Sequence, residues 1–311
     1  METIEIKRQK TQEEIIGELN VFIHTRLRTG MSYENIYKSL LEYGIESNFA
    51  KELLDNKVET LDNYDQAFMY RLLNVFKKLK KQDSKYQKIR VGATFSGGYA
   101  IPNDLDGIEA VISIGIDNDV SFDRYFADRG LDCYQYDPTI DKLPYEHEKF
   151  HFNKVGLGPI DTIENGIEFI NLNSIIDKNN LNECNNLLLK IDIEGAEWEA
   201  FNVLHHADLL RYRIIVMELH WLTKLCTMSP HFEMVEKIMN MITLNHTCVH
   251  NYAPTWGQIL IEQGVLIQDG YEVTFLRNDR SNFSPSIEPT PSALDNPLKE
   301  HNKKLLFTPT L

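Results

Sequence analysis

The chain has 311 residues, 42% of them hydrophobic, so it can fill a sizeable core and is not a disordered protein. Its formal charge of −14 argues against a nucleic-acid-binding surface, because such surfaces concentrate lysine and arginine. No stretch approaches the roughly 20 apolar residues of a membrane span, and the charged start has no secretory hydrophobic segment. The four cysteines form no C-x-x-C pair, which indicates neither a zinc site nor a disulfide framework, and we expect a cytoplasmic protein.

Residues 1–86 show apolar side chains at helical spacing in successive patterns, with Ser32 predicted as a cap and Gly44 as a helix end. No heptad repeat persists, so we predict a small helical domain rather than a coiled coil. The sequence leaves its role open among homo-oligomerisation, acceptor binding and covering of a neighbouring sheet.

From Glu109 onward, strand patterns alternate with helical patterns, which is typical of βαβ units and a mostly parallel sheet. We therefore predict an α/β domain at 87–278 with seven strands, the last two antiparallel at the edge. The tail at 279–311 is rich in proline, serine and asparagine and is predicted to wrap the surface or to be mobile. The predicted strands are 109–115, 131–137, 150–155, 187–192, 213–219, 243–250 and 271–276.

The first predicted strand ends at Gly115, where the chain has to turn tightly past a ligand. Asp137 ends the second strand roughly 20 residues further on, the spacing expected for a ribose-binding acid. The turn lacks G-x-G-x-x-G, and Asp117 and Asp119 stand where the pyrophosphate of a dinucleotide would approach. A nucleoside with a cationic amino-acid end suits this loop better, and S-adenosylmethionine is such a ligand.

The apolar strand that ends at Asp192 is followed at once by a helical pattern, which brings Asp192 and Glu194 to the carboxyl edge of the sheet. Open α/β sheets bind ligands at that edge. In the alternative interpretation, Asp192 caps the helix, and Glu194 and Glu197 complement its positive end. Glu218 and His220 follow the next strand. His220 is a candidate base or a hydrogen-bonded structural imidazole. Asp192 with Glu218 could instead hold Mg²⁺ or Mn²⁺.

Six segments of the chain, in this order, resemble the FkbM-type family of S-adenosylmethionine-dependent methyltransferases over roughly Arg90 to Arg277. They are Gly97-Gly98-Tyr99 with the preceding Arg90-Val-Gly, Ile112-Ser-Ile-Gly115, Tyr134-Gln-Tyr-Asp-Pro-Thr139, Lys190-Ile-Asp-Ile-Glu-Gly-Ala-Glu197, Glu218-Leu-His220 and Glu272-Val-Thr-Phe-Leu276. The block from Lys190 to Glu197 is the specific part. Where the family often has Asp-Gly-Gly-Tyr, this chain has Ser96. The resemblance implies a class I methyltransferase (Rossmann-like) fold and, commonly, O-methylation of sugars or polyketide hydroxyls.

Methyl transfer to a hydroxyl requires in-line positioning and removal of one proton. We predict that His220 is the base, assisted by Asp192 and Glu194, and that a divalent metal at Asp192 and Glu218 is the alternative. The residues predicted to bind the cofactor are Gly115, Asp117, Asp119, Asp137, Tyr99 and Gly98. His250 and Trp256 are predicted to lie where acceptor contacts gather.

The leading functional hypothesis is O-methylation of a sugar hydroxyl, free or nucleotide-linked, in polysaccharide or natural-product biosynthesis. A nicotinamide-dependent oxidoreductase would also use Asp137 as a ribose-binding acid. Asp117, Asp119 and the absence of G-x-G-x-x-G disfavour this alternative. A noncatalytic binding protein on a degenerate methyltransferase fold is the third possibility, since a fold does not by itself imply activity. Such a protein would be expected to have lost acids that this chain retains.

Overall fold

The computed structural model describes residues 19, 23, 33–42, 45–94, 97–226, 229–254, 258–262 and 265–295. The chain divides into two compact units between Leu73 and Asn74. Four residues with sequence-based interpretations, Ser32, Gly44, Ser96 and Trp256, lie outside the described residues. In the part that is described, no helix is long and apolar enough to cross a membrane.

The helices are α1 (Tyr33–Glu42), α2 (Ser47–Lys78), α3 (Ser121–Ala127), α4 (Leu172–Lys178), α5 (Glu197–Asn202), α6 (His206–Leu209) and α7 (Ser229–Asn245), with 3-10 turns at Leu222–Cys226 and Asn278–Arg280. The strands are β1 (Gln82–Asp83), β2 (Lys88–Val91), β3 (Tyr99–Pro102), β4 (Val111–Ile114), β5 (Cys133–Tyr136), β6 (Phe150–Asn153), β7 (Gly156–Leu157), β8 (Thr162–Glu164), β9 (Ile167–Ile170), β10 (Leu187–Ile191), β11 (Tyr212–Leu219), β12 (His246–Tyr252), β13 (Ile259–Glu262), β14 (Val265–Gln268), β15 (Tyr271–Arg277) and β16 (Ser284–Pro285).

The N-terminal unit is helical where it is described. Ile36 and Leu40 lie one turn apart on α1, as do Ala50 and Leu54 on α2, and all four are fully buried in one apolar cluster that includes Ile23. Residues at i and i+4 share one face of a helix, so this spacing explains the cluster. The domain limits at 86 and 278 and the role of the N-terminal region stay predictions.

All seven predicted strands lie in one mixed sheet of order β12-β15-β11-β10-β4-β5-β6. Adjacent strands from β11 to β6 are parallel, whereas β15 is antiparallel to both β11 and β12. The prediction that the two closing strands pair antiparallel at the edge is therefore confirmed. β12 is the edge strand and runs in the common direction, because the chain crosses over through α7 before β12 begins at His246.

The sheet reverses its order of strands between β4 and β10. From β4 the chain proceeds outward to β5 and β6, and it later returns to β10 and β11 on the other side. All five residues of β10 are buried, as an apolar run in a central parallel strand predicts. The loops after β4 and β10 therefore diverge at the switch point, where open α/β sheets bind ligands.

Residues 284–295 pack within the second unit. Ser284 and Pro285 pair with β1, and Asp295 Oδ1 lies 2.7 Å from His250 Nε2. The sequence predicts His250 among the acceptor contacts, but its side chain is buried and faces Asp295 instead. That partner lies 45 residues along the chain, in a tail whose composition does not predict its contacts.

Candidate active site

A cavity of about 610 Å³ opens at the carboxyl ends of the central strands. Seven residues predicted from the sequence line it, namely Gly115, Asp117, Asp119, Asp137, Asp192, Glu194 and Glu218. Gly98, Tyr99 and His220 are buried next to these residues rather than among those that line the cavity. Leu157 and Phe169, from the small sheet β7-β9-β8, add an apolar wall.

Gly115 is required by the close approach of two strand-end loops. Its φ is +78°, and a Cβ at this position would lie 1.7 Å from the carbonyl oxygen of Asp192. The sequence predicts a tight turn past a ligand at this glycine. The structure adds that the loop after β10 occupies the space of a side chain, so any other residue would separate the two loops.

Asp137 organises the loop after β4. Its Oδ2 accepts hydrogen bonds from the N–H groups of Ile116 and Asp117 at 2.8 and 2.9 Å. Its Oδ1 accepts from the N–H and the hydroxyl of Thr139 at 2.8 and 2.5 Å. Burial raises the pKa of Asp137, but these bonds outweigh it and lower the pKa below its usual value. Its contact with a ribose stays a prediction.

Asp119 and Gly97 meet at another side of the cavity. Asp119 Oδ1 accepts the N–H of Ser121 at 2.7 Å, at the start of α3, and so fixes the helix to the loop. A Cβ on Gly97 would lie 2.6 Å from Asp119 Oδ2. The loop before β3 and the loop after β4 therefore share one wall of the cavity.

Tyr99 does not stack on the open cavity. Its ring packs edge-on against Phe122 at a centroid distance of 5.6 Å, and its hydroxyl donates to Asp192 Oδ2 at 3.0 Å. Lys190 Nζ lies 3.8 Å from the same Asp192 oxygen and donates to the carbonyl oxygen of Gly115. Asp192 is thus held from behind by a phenol and an ammonium group, with its other oxygen directed towards His220.

Asp192, Glu218 and His220 form a compact cluster of polar side chains. The Nε2 atom of His220 lies 4.0 Å from Asp192 Oδ1 and 3.8 Å from Glu218 Oε1. Burial and the charge of Asp192 raise the pKa of Glu218 well above its usual value, although His220 opposes that shift. Glu194 Oε2, on a largely exposed side chain, lies 3.5 Å from the same imidazole nitrogen.

Glu197 holds His220 in place from the buried side of the cluster. Glu197 is fully buried, and its Oε1 accepts the backbone N–H of His220 at 2.8 Å and lies 3.2 Å from Nδ1. Its Oε2 accepts the N–H of Gly195 at 2.8 Å. Burial lowers the pKa of His220, but Glu197 and the neighbouring carboxylates outweigh it and raise the pKa to about 9.

A pattern in the sequence could have identified Glu197. It lies four residues before Phe201 and seven before Leu204, on the apolar stripe of α5 and the turn that follows it. A carboxylate on such a stripe needs a buried partner. Three further residues near the site, Asp123, Lys190 and Glu272, were also not identified as site residues.

Three side chains of the cluster could hold a metal ion. One ligand atom each from Asp192, Glu218 and His220 lie within 4.8 Å of one another. Two carboxylate oxygens suit Mg²⁺ or Mn²⁺, and the imidazole nitrogen adds a ligand that Mn²⁺ accepts more readily than Mg²⁺ does.

Comparison with known families identifies the domain around this cavity. Residues 99–247 match the methyltransferase FkbM domain, which confirms the resemblance predicted from the sequence. The match begins at Tyr99 and includes both central loops, Glu197 and His220, and it ends before Glu272. Methyltransferases of this family generally use S-adenosylmethionine. No curated protein is significantly similar to the chain in sequence.

Proposed function

Since residues 99–247 carry a methyltransferase FkbM domain, we propose that the protein transfers a methyl group from S-adenosylmethionine to a hydroxyl of a sugar, free or nucleotide-linked. The observation that carries this proposal is the arrangement of Asp192, Glu218 and His220 beside a cavity at the switch point of the sheet. Polysaccharide or natural-product biosynthesis is the proposed context.

The residues present fit the cofactor. The cavity has room for a nucleoside with an amino-acid chain, and its acidic lining suits a ligand that bears a sulfonium and an ammonium. Leu157 and Phe169 offer an apolar surface to the adenine ring, near the end of β5 where Asp137 lies. S-adenosylmethionine supplies a methyl group that is already electrophilic, so the protein has to position the acceptor and remove its proton.

His220 is proposed as the base. Its Nδ1 is occupied by Glu197, which leaves Nε2 directed towards Asp192, Glu194 and Glu218. With a pKa raised to about 9, the imidazole is protonated at neutral pH in the absence of a bound cation. The positive charge of bound S-adenosylmethionine beside the carboxylates would lower the pKa of His220. The neutral imidazole could then accept the hydroxyl proton at Nε2.

A divalent ion is the second version of the same site. Asp192, Glu218 and His220 Nε2 would hold Mg²⁺ or Mn²⁺, which would polarise the acceptor hydroxyl without a strong base. The two versions exclude each other at Nε2, because a nitrogen bound to a metal cannot accept a proton. Chelation followed by re-addition of Mn²⁺ separates them, since only the metal version predicts loss and recovery of turnover.

Calorimetric titration with S-adenosylhomocysteine and with NADH tests the class of function. Binding of S-adenosylhomocysteine alone supports the proposal. Binding of NADH alone would replace it with an oxidoreductase, and binding of neither would favour a noncatalytic protein. The acceptor is identified by the mass gain of one methyl group in a panel of sugars, nucleotide-linked sugars and small hydroxylated metabolites.

The base assignment is tested with His220→Gln and with the matched control His206→Gln, at an exposed position on α6. We expect His220→Gln to lower kcat about 100-fold or more at neutral pH, the usual contribution of a general base, and the control to leave kcat unchanged. Near-full turnover of His220→Gln would rule out this base.

A further inference from the structure

Asp123 is a buried carboxylate whose charge the site described so far does not use. It lies in the first turn of α3 and is only 2% exposed, yet it lines the cavity. Its Oδ1 has no hydrogen-bond partner. Buried carboxylate oxygens are almost always paired, because an unpaired one loses its hydration without compensation. A donor is therefore missing at this position.

The polar neighbours of Asp123 on the sheet, Ser113 and Gln135, lie close enough to favour its ionised form, but neither makes a hydrogen bond to its Oδ1. Ser113 on β4 and Gln135 on β5 are paired in register, are fully buried, and also have side-chain atoms without partners. Three adjacent side chains with unused polar atoms form a polar floor under the cavity. Such a floor is typical of a position that a polar ligand group or water completes.

Lys190 supplies the opposite charge at the same floor. It pairs in register with Ser113, is 6% exposed, and also lines the cavity. Burial raises the pKa of Asp123 to about 6, and the charge of Lys190 opposes that shift. One of the three ammonium hydrogens of Lys190 goes to the carbonyl oxygen of Gly115, so further donors are available on this group. The floor thus presents one negative and one positive side chain.

The order of the strands decides which end of the cofactor meets this pair. Along the carboxyl edge, the order is Glu218 near the end of β11, Asp192 after β10, Gly115 after β4 and Asp137 after β5. The apolar wall that suits a base follows β6, beyond Asp137. Lys190 lies on β10, on the other side of β4 from Asp137, where a chain extending from the nucleoside would lie.

We propose that Asp123 binds the ammonium group of the amino-acid end of S-adenosylmethionine, while Lys190 binds the carboxylate of the same moiety. The inference rests on the proposed function, because it names the residues that recognise the proposed cofactor. An α-amino acid carries both charges a few ångströms apart, so a paired acid and base bury the zwitterion without leaving either charge unpaired.

The test compares ligands that differ only at this end. S-adenosylhomocysteine carries the amino acid, 5′-methylthioadenosine lacks it, and deaminated S-adenosylhomocysteine lacks the amino group alone. We expect Asp123→Asn to weaken the binding of S-adenosylhomocysteine about 10-fold to 100-fold in calorimetry. The affinity for 5′-methylthioadenosine should stay within about twofold of that of the unaltered protein. The control Asp128→Asn, at the half-exposed end of the same helix, should change neither.

The ligands alone keep the proposal falsifiable if Asp123→Asn does not fold. The unaltered protein should bind deaminated S-adenosylhomocysteine about 10-fold or more weakly than S-adenosylhomocysteine. Equal binding of these two ligands, or an unchanged preference for S-adenosylhomocysteine in a folded Asp123→Asn protein, would overturn the role of Asp123 and leave the proposed function standing. If the unaltered protein binds neither S-adenosylhomocysteine nor 5′-methylthioadenosine, the role of Asp123 and the proposed function are both refuted.

Discussion

Glu197→Gln should uncouple His220 from its support at nearly constant side-chain volume. The carboxylate accepts two N–H groups, from Gly195 and His220, and faces the imidazole Nδ1. A glutamine retains one carbonyl oxygen, which can keep the two contacts to His220. Its amide nitrogen then faces the N–H of Gly195, donor against donor.

The cost of this substitution follows from those three contacts. One buried donor is left unpaired, at about 1–3 kcal/mol, and two bonds to a charged acceptor become weaker bonds to a neutral one. We expect the free energy of unfolding to fall by about 2–4 kcal/mol. Loss of the negative charge also lowers the pKa of His220 from its value of about 9.

The assay combines denaturation, binding and turnover. Urea unfolding gives the stability change, and calorimetry with S-adenosylhomocysteine should show affinity within about twofold, because Glu197 does not line the cavity. We expect kcat to fall about 10-fold to 100-fold, as is usual when the partner that orients an imidazole is removed. Glu199→Gln, exposed on the same helix, is the matched control. Full kcat in a destabilised Glu197→Gln protein would refute the orienting role, and unchanged stability would refute the hydrogen bonds themselves.

The remaining predictions concern pH, packing and the loop after β4. Burial raises the pKa of Glu272 in the folded protein to about 8, from 4.5 in the unfolded chain. The folded protein is therefore most stable below pH 4.5, and it loses stability as the pH rises from 4.5 to 8. Glu272→Gln should therefore gain about 3 kcal/mol over the unaltered protein between pH 5 and pH 8 in urea unfolding, and a constant difference would contradict the burial of its charge. Gly195→Ala should lower stability by about 2–4 kcal/mol, because the new Cβ would lie 2.3 Å from the ring of Trp221. Gly166→Ala, also at positive φ but in open space, should cost only about 1 kcal/mol, and equal costs in thermal unfolding would refute the clash. Thr139→Val removes one hydroxyl bond to the loop and should cost about 1 kcal/mol in the same assay, so an unchanged melting temperature would argue against that bond.

Much of the sheet could be predicted because its signal is local. The apolar run at 187–191 identifies β10, and each parallel strand that follows a helix ends at the same edge. The proximity of Asp192, Glu218 and His220 follows from that rule alone. Which of β12 and β15 runs in the direction of the parallel strands could not be predicted, because a strand has the same residue pattern whether its neighbour is parallel or antiparallel.

The site could be predicted only in part, because its supporting contacts join distant segments. The cofactor contact predicted for Tyr99 stays a prediction, and its hydrogen bond to Asp192, 93 residues further along the chain, could not be predicted. The hairpin of β2 and β3 that brings Tyr99 there has no alternating pattern long enough to predict it. Glu197 was interpreted as an acid at a helix start, since its contact with His220 depends on the loop after β11.

Three residues in left-handed backbone conformations lie in the loops at the carboxyl edge of the sheet. Asp117, Glu194 and Trp221 have φ values of 49°, 55° and 62°, and each lies two or three residues beyond a central strand. Such a conformation costs a non-glycine residue about 1 kcal/mol or more and persists only where the surroundings enforce it.

Buried carboxylates provide that enforcement. Asp137 accepts the N–H of Asp117, and Glu197 accepts the N–H of Gly195, directly after Glu194, and that of His220, directly before Trp221. Two side chains thus hold all three strained turns at the sheet edge. Because Glu197 holds two of these turns at once, its loss should release Glu194 and His220 together, which no substitution confined to one loop would do.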